Sequence, residues 1–373
     1  MRIIKNSSQR GFAQLIVVIL IIFGLGASVY LTRFNNAYAV TVSTYDLGVG
    51  YFSQNNAGVT PDMAWSKATE SAHVASIQKH WAESYNSASQ DYINAVATDV
   101  NVARSKGLKI YLAMEVLSGD RKTVVLPNAL QGQNGGFNNP TIQNYYIDLV
   151  KNTANIYHPD YFIINIEINM YKQYNLKDYN AYKSKVYSKA YNAIKQASPQ
   201  TQVAVSLVYS DYNNANCIDT SDITQFRGYI TDFNNRTNKE DMLGVSTYPF
   251  CYLNPADIPL NFIDQIAGFY SSIPLFISET GWISQSFSIV NSDPQIQAAY
   301  IDKLSEMVEY ARSNGKNINN INYISIVDMD ANYCALVQSV APQNGWLCYL
   351  SLMYPDFTEK PAFGKMRDWK NRL

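Results

Sequence analysis

The sequence has few of the residues that hold metal ions. Its 373 residues include only 4 cysteines and 3 histidines, no two cysteines form a C-x-x-C pair, and His73, His80 and His158 are scattered along the chain. Structural zinc sites need Cys and His ligands at short, regular spacings. We therefore expect no metal site and no cofactor.

The chain also lacks an excess of charge of either sign. Lys and Arg total 29 and Asp and Glu total 30, giving a formal net charge of −1. Proteins that bind nucleic acid through its phosphates carry clustered positive charge, so we expect no nucleic-acid partner. No internal repeat, low-complexity block or second domain stands out, and 47% hydrophobic content supports one large core. We expect a monomer.

The N-terminal segment differs in composition from the rest of the chain. Arg2, Lys5 and Arg10 precede an uncharged apolar run at residues 11–31. About 20 apolar residues cross a bilayer as a helix, and flanking positive charge keeps its own side in the cytoplasm. The predicted organisation is a cytoplasmic basic segment at 1–10, a transmembrane signal anchor at 11–31, a linker at 32–43 and a folded domain at 44–373.

A cleaved signal peptide is the alternative to an anchor. The sequence Ala37-Tyr38-Ala39 is an A-x-A site that a signal peptidase could cut. The folded domain is then either anchored on the extracytoplasmic side of a membrane or secreted after cleavage near Ala39. Both alternatives place the cysteines in an oxidising compartment, where an even number favours disulfides.

After residue 40, apolar runs alternate regularly with amphipathic helical patterns. Near-continuous apolar strands are typical of a parallel sheet that helices cover. The eight predicted strands are 45–52, 72–81, 108–117, 161–169, 201–210, 241–250, 274–282 and 321–330. An open doubly wound sheet would usually carry a glycine-rich phosphate turn after its first strand, and none follows here. The prediction is therefore α/β, a (β/α)8 TIM barrel.

Helix start signals support this alternation. Pro61 follows Thr60 and Pro140 follows Asn139, and a capping residue followed by proline is typical of a helix N-terminus. Further helices are predicted at 176–198, at 293–315 and after Pro361.

Two glutamates stand where such a barrel would carry its chemistry. Active sites of these barrels lie at the C-terminal ends of the strands. Glu167 belongs to the fourth predicted strand and Glu279 to the seventh, so they can face each other across the barrel mouth. Paired carboxylates are the usual equipment for hydrolysing a glycosidic bond. Mutual repulsion is expected to raise the pKa of one of them, which keeps a proton available.

Other polar and aromatic residues at the strand ends are candidates for holding a sugar. Asn165 and Asn169 lie two residues either side of Glu167, so a strand would turn all three the same way. Asp328 and Asp330 share that spacing in the last strand. The candidate substrate-binding residues are Trp81, Glu115, Asn165, Asn169, Tyr248, Trp282 and Asp328.

Each candidate also has a structural interpretation. Glu115 could form an ion pair, Asp328 could hold a loop through hydrogen bonds, and Trp282 could be a packing residue. His73 and His80 are expected to be structural, and the basic stretch 120–122 is expected to be a solvated loop.

Three motifs resemble the clan A glycoside hydrolases, retaining enzymes with a (β/α)8 fold. "ISETGW" (277–282) is similar to the nucleophile motif of plant-type β-1,3-glucanases and family 53 β-1,4-galactanases. "DMLGVSTYPF" (241–250) resembles the sixth galactanase strand, and "KPAFGKMRDW" (360–369) is similar to the tail of many members. The resemblance implies that Glu279 is the nucleophile, Glu167 the acid/base and Tyr248 the tyrosine beside the nucleophile.

The sequence departs from this family in two places. Ile166, rather than the usual asparagine, precedes Glu167, and the tryptophan expected near the end of strand eight is missing. Two functions therefore stay open. One is an exported hydrolase of a β-linked polysaccharide; the other is a barrel that binds carbohydrate without cleaving it. Both take a β-linked oligo- or polysaccharide as partner.

The barrel order also predicts the disulfides. Cys217 and Cys251 would lie in loops after neighbouring strands, and Cys334 and Cys348 both follow strand eight. The predicted pairs are 217–251 and 334–348, each fixing loops around the mouth.

Overall fold

The computed structural model describes residues 44–52, 56–82, 92–209 and 220–373. Tyr45–Leu373 forms one compact unit. The predicted cytoplasmic segment 1–10, anchor 11–31 and linker 32–43 lie outside the described residues. None of the helices in the described ranges combines the length and hydropathy that a membrane crossing needs.

A single parallel sheet of nine strands forms the centre of the fold. Its order is β5-β4-β3-β2-β1-β9-β8-β7-β6, so neighbours in the chain are neighbours in space. The strands are β1 Asp46–Gly50, β2 Val74–His80, β3 Lys109–Glu115, β4 Tyr161–Ile163, β5 Gln202–Ala204, β6 Ser206–Val208, β7 Leu243–Ser246, β8 Leu275–Thr280 and β9 Ile318–Tyr323.

The ninth strand arises because the predicted fifth strand is broken at Val205. β5 pairs with β4 and β6 pairs with β7, so the two edges of the sheet come from one stretch of chain. The Val205 amide donates instead to the buried Glu240 carboxyl, at 2.9 Å. The backbone of Gly244 lies close to that of Val205. A Cβ at Gly244 would lie only 2.2 Å from the Val205 oxygen, so a side chain would not fit there. The sheet is thus a nearly closed barrel, as predicted for a (β/α)8 fold.

Helices follow the strands and cover the barrel. They are α1 Pro61–Ser71, α2 Tyr92–Ser105, α3 Pro140–Tyr157, α4 Ile168–Tyr174, α5 Leu176–Ala181, α6 Tyr187–Ala197, α7 Thr220–Phe233, α8 Phe262–Gly268, α9 Pro294–Ser313, α10 Ala331–Val340 and α11 Pro361–Lys370. The predicted long helix at 176–198 is α5 and α6 joined by a π-helical turn at Tyr182–Val186. Thr60 and Asn139 cap α1 and α3 as expected.

The apolar core has two parts. The larger part lies between the sheet and the surrounding helices. The smaller part fills the barrel and contains Val74, Tyr111, Ala113, Tyr161, Ile163, Ile166, Ala204, Met242 and Phe276. Filling by side chains makes the barrel interior a packed core and leaves its mouth for chemistry.

Two predicted strands end before the alternating polar residues that were assigned to them. β4 stops at Ile163, so Asn165, Glu167 and Asn169 do not share a strand and do not face one way; Asn169 is already in α4. β9 stops at Tyr323, so Asp328 and Asp330 follow it in the loop. Both predictions were wrong because alternation in sequence does not reveal where strand pairing stops.

Candidate active site

A β-bulge in β8 delivers Glu279 to the barrel mouth. Phe276 and the Ser278 hydroxyl lie inside the barrel, so regular alternation would turn Glu279 outward. The pairing with β7 runs Val245 to Ile277 and then Ser246 to Glu279, leaving Ser278 as the extra residue. Bulges re-aim side chains and are common beside active sites. The bulge explains how an apolar strand presents a carboxylate at its own end.

Two neutral donors hold the Glu279 carboxyl. Gln78 Nε2 on β2 donates to Oε1 at 3.0 Å, and Tyr248 Oη donates to Oε2 at 2.9 Å. Tyr248 follows β7, so donors from both flanks of the mouth converge on one group. The expected contact between Tyr248 and Glu279 is confirmed, whereas Gln78 was missed because glutamine in a strand carries no signal of its own.

Glu167 lies at the N-terminus of α4 in a left-handed conformation, with φ 51° and ψ 37°. Such a backbone is costly for a residue with a side chain and is found mainly where the surroundings impose it, often at functional sites. Ser246 Oγ donates to Glu167 Oε1 at 2.7 Å. Since Ser246 is also the residue that pairs with Glu279 between β7 and β8, this hydrogen bond places the two glutamates on one side of the mouth.

The two carboxyl groups are electrostatically coupled. Burial raises the pKa of Glu279 to about 8, and the charge of Glu167 adds to that rise. Arg121 and the donors Tyr248 and Gln78 oppose the rise. Like charges oppose each other's ionisation in a low-dielectric site, so the charge of Glu167 favours the protonated form of Glu279.

Arg121 is the main residue that the sequence did not identify. It lies in a short hairpin whose arms meet at Leu117 and Val124. Its Nε donates to Glu167 Oε2 at 3.0 Å and its Nη1 donates to Glu115 Oε1. With only 13% of its side chain exposed, Arg121 corrects the expectation of a solvated loop at that one position, whereas Asp120 and Lys122 are each 51% exposed as expected. The ion-pair interpretation of Glu115 is the one that the structure favours.

All three predicted aromatic platforms are buried, and two of them, Trp81 and Trp282, pack away from the proposed catalytic pair. Trp81 packs among aromatic side chains including Tyr146, with ring centroids 5.8 Å apart, and its indole donates to the Val125 oxygen. Trp282 has no exposed surface and stacks on Tyr300. Neither ring presents a face to the mouth, so we correct both assignments to packing roles.

Trp346 packs against Tyr248 and is itself 8% exposed. It comes from the loop after β9, and its ring meets Tyr248 edge to face with centroids 5.0 Å apart. The Cys334–Cys348 disulfide closes this loop, with Cα atoms 5.5 Å apart, which confirms that predicted pair. The pair 217–251 involves Cys217, which lies outside the described residues.

Two of the remaining predicted contacts, Asn169 and Asp328, have hydrogen-bonding partners in the protein. Asn169 forms two hydrogen bonds with the backbone of Val208, and Asn165 is fully buried beside Tyr182. Asp328 forms a buried ion pair with Lys360 and accepts from the Ser351 amide. We therefore correct their assignment as sugar contacts: Asn169 holds the strand break, Asp328 holds the last loops, and Asn165 has no exposed surface with which to contact a sugar.

A cavity of about 390 Å³ opens at the other end of the barrel, beside the first residues of β3, β4 and β5. Catalytic residues of (β/α)8 enzymes lie at the opposite, C-terminal face. We therefore assign no chemistry to this cavity.

Comparison with known proteins identifies similar structures but no similar sequences. No family model matches the chain, and no curated protein sequence matches it. A structure from a study of two fungal β-1,4-galactanases superposes with a TM-score of 0.60 at 17% identity, covering 87% of this chain and 99% of that one. A GH5_18 protein of Streptomyces cattleya in complex with Manβ1-4GlcNAc gives 0.62 at 11% identity, covering 88% and 81%.

A third similar structure is a psychrophilic glycoside hydrolase family 10 endo-β-1,4-xylanase. It superposes with a TM-score of 0.56 at 12% identity and covers 87% of this chain and 96% of that chain. At such low identity the likeness concerns the fold. The chain has the (β/α)8 fold found in clan A glycoside hydrolases, galactanases included.

Proposed function

We propose that this protein is a glycoside hydrolase that cleaves a β-linked oligo- or polysaccharide by double displacement with retention of configuration. The observation that carries the proposal is the arrangement around Ser246, which donates to Glu167 and pairs in register with Glu279. Two carboxyl groups at one barrel mouth, one to protonate the leaving group and one to attack the sugar, are what retaining hydrolysis of a glycosidic bond requires.

In the first step Glu279 attacks the anomeric carbon and Glu167 protonates the departing glycosidic oxygen. In the second step Glu167 takes a proton from water, which displaces the sugar from Glu279. Gln78 and Tyr248 each donate to one oxygen of Glu279, and these donors favour its carboxylate form. Trp346, beside Tyr248, is the aromatic residue we assign to the sugar-binding side.

The names of the similar structures support a β-linked substrate. They describe β-1,4-galactanases, an endo-β-1,4-xylanase and a protein bound to Manβ1-4GlcNAc. Since a fold can host many functions, the argument for this chain rests on its own carboxyl groups.

We further propose that the barrel acts outside the cytoplasm, held to a membrane by residues 11–31 or released by cleavage near Ala39. The apolar run and its preceding positive charges support export, as does the Cys334–Cys348 disulfide. Fractionation of tagged full-length protein tests this: an anchored form stays with membranes, whereas a soluble form starting at Val40 means cleavage.

A screen of reducing ends released from galactan, mannan, xylan and β-glucans tests the proposed activity. We expect release from at least one β-glycan, and none with Glu279→Gln. If the wild-type protein binds a β-glycan in affinity electrophoresis without releasing reducing ends, the chain is a non-catalytic carbohydrate-binding barrel.

A further inference from the structure

Among the described residues, Tyr174 is the most exposed aromatic side chain. It is 52% exposed and is the last residue of α4, the helix that begins directly after Glu167. Tyrosine offers an apolar ring together with a hydrogen-bonding hydroxyl, which suits it to contacts with ligands at a surface. A single exposed ring needs no explanation by itself, so the surroundings of Tyr174 decide whether it has a role.

α4 is held at the face of the barrel that carries the proposed catalytic pair. Asn169, in its first turn, forms two hydrogen bonds with the backbone of Val208, the last residue of β6. The C-terminal ends of the strands define the active-site face of such a barrel. A helix rises about 1.5 Å per residue, so the 7 residues of α4 place Tyr174 about 10 Å along the helix axis from Glu167. That separation is close to the length of a disaccharide.

The hairpin that carries Arg121 contacts both ends of α4. Arg121 Nε donates to Glu167 Oε2 at 3.0 Å, and the neighbouring Lys122 Nζ lies 5.4 Å from the centre of the Tyr174 ring. Lys122 is itself 51% exposed and pairs with Asp120 at 3.2 Å. A cation over an aromatic ring is a favourable contact even at an exposed site, so Lys122 orients the ring. Two adjacent residues of one turn therefore hold the proposed acid/base and the exposed tyrosine.

The hydrogen bonds of Glu167 indicate on which side of the cleaved bond this ring lies. Ser246, which pairs with Glu279, donates to Oε1 of Glu167. The hairpin contacts the other carboxyl oxygen, Oε2. Glu167 is thus bonded on one side to the strand that pairs with the proposed nucleophile and on the other side to the hairpin. Because the acid/base protonates the departing oxygen, the hairpin side is the side of the leaving group.

We propose that Tyr174, oriented by Lys122, is a binding platform for the leaving-group end of a β-glycan chain. The apolar face of a sugar ring stacks on the tyrosine, while the Lys122 ammonium and the phenol hydroxyl bond to sugar hydroxyls. Since Tyr174 lies about a disaccharide's length from Glu167, the substrate continues past the cleaved bond by more than one sugar. This inference rests on the proposed glycosidase function and deepens it, because it names a glycan chain, rather than a disaccharide, as the substrate.

The first test compares two substrates of the full-length protein. Tyr174→Ala should lower kcat/KM on the β-glycan that the wild type cleaves by about three- to tenfold, the loss expected for one aromatic contact. It should leave kcat/KM unchanged on an activated aryl glycoside of the same sugar, which has no sugar on its leaving side. Tyr174→Phe keeps the ring and should retain most of the wild-type preference for the glycan.

Tyr310→Ala is the matched control for this comparison. Tyr310 is 37% exposed and lies near the end of α9 from which the chain enters β9, at the opposite face of the barrel. Its replacement should change neither rate. Equal losses on both substrates in Tyr174→Ala, or the same selective loss in Tyr310→Ala, would overturn the inference.

The second test determines the side of the cleaved bond. Oligosaccharides labelled with ¹⁸O at the reducing end report by mass spectrometry which bond is cut. Without a platform on the leaving side, chains bind with fewer sugars there, so Tyr174→Ala should shift cleavage toward the labelled end. A shift toward the non-reducing end would place the ring on the other side of the bond and contradict the proposal.

Affinity electrophoresis in gels that contain the glycan distinguishes this inference from the proposed function. If the wild type is retarded without cleaving the glycan, the proposed activity fails, and weaker retardation of Tyr174→Ala than of Tyr310→Ala still supports the platform. Cleavage with an unchanged substrate preference in Tyr174→Ala would refute only the platform. A wild-type protein that neither binds nor cleaves any β-glycan of the screen would overturn both.

Discussion

Tyr248 and Trp346 meet edge to face, with ring centroids 5.0 Å apart, although they come from loops after different strands. Tyr248 donates to Glu279, so the loop that carries Trp346 packs directly behind the residue that orients the proposed nucleophile. The Cys334–Cys348 disulfide closes that same loop. The disulfide is far from Glu279 in sequence. In space, its loop is linked to Glu279 through the contact between Trp346 and Tyr248.

The disulfide is therefore expected to affect both stability and substrate binding. Replacing Cys334 and Cys348 together by serine should lower the free energy of unfolding by up to about 3 kcal/mol, the loop-closure value for a loop of this size. It should also raise KM, because Trp346 loses its fixed position. Chemical denaturation and steady-state kinetics measure the two effects. An unchanged KM would mean that the bridge stabilises the loop without serving the site.

Replacing Trp346 tests whether this ring contributes to sugar affinity or only to stability. Trp346→Ala should weaken sugar affinity by about tenfold, as expected when a ring that contributes more than a kilocalorie is lost. Trp282→Phe is the comparison, since Trp282 is fully buried against Tyr300 and should change stability rather than affinity. Isothermal titration with a bound oligosaccharide distinguishes them, and equal affinity losses would contradict the assignment.

Tyr248→Phe should shift the pH dependence of the reaction. The tyrosine's hydrogen bond opposes the rise in the pKa of Glu279, so its loss should move that pKa further above about 8. The nucleophile works ionised, and therefore the acid limb of kcat/KM should move to higher pH. A lost hydrogen bond of about 1.4 kcal/mol corresponds to about one pH unit.

An activated aryl glycoside is the suitable substrate for this measurement, because a good leaving group needs little protonation by Glu167. Tyr252→Phe, in the same loop, serves as the control and should leave the profile unchanged. A movement of the acid limb to lower pH in Tyr248→Phe would contradict the role given to its hydroxyl.

Glu167→Ala should distinguish substrates by their leaving groups. Loss of the general acid should slow natural glycosides by about 10²- to 10⁴-fold and activated aryl glycosides far less. Added azide should partly restore the aryl reaction and give a β-glycosyl azide, since a small anion can then reach the glycosyl-enzyme. Equal losses on both substrates, with no azide product, would argue against Glu167 as acid/base.

The buried ion pair of Lys360 and Asp328 is expected to support the fold rather than bind sugar. Lys360 also donates to Ser284 and to the Ser351 oxygen, linking α11 to the last loops. Lys360→Met should cost about 3–5 kcal/mol, because it leaves a buried carboxylate without a partner. Adding Asp328→Asn should recover part of that loss in denaturant unfolding. A double variant less stable than Lys360→Met would contradict this explanation.

Much of the fold could be predicted from the sequence because parallel strands appear in it as apolar runs and several helices begin with recognisable capping residues. Thr60 and Asn139 mark helix starts because each side chain accepts a hydrogen bond from a backbone amide within the next three residues. The break at Val205 could not be predicted, because it depends on Glu240 and Gly244 meeting that strand in space. The early ends of β4 and β9 were missed for the same reason.

The residues of the candidate site were also predicted only in part. Glu279 and Tyr248 stood in motifs that resemble those of known enzymes, and Glu167 was identified by its place near the end of a predicted apolar strand. Arg121 and Gln78 did not, since a basic residue in a polar turn and a glutamine in a strand normally face solvent. Trp81 and Trp282 were assigned to sugar because a sequence does not show which aromatic rings the core has already enclosed.

Covalent trapping tests the central claim most directly. Wild-type protein would be incubated with a panel of 2-deoxy-2-fluoro-β-glycosides bearing good leaving groups, chosen to match the glycan that the screen identifies, and then digested for peptide mass spectrometry. We predict one added fluoroglycosyl group, on the peptide that contains Glu279 and on that residue within it. Label on Glu167, or no label on a protein that cleaves the corresponding β-glycan, would contradict the assignment of Glu279 as the nucleophile of a retaining glycosidase.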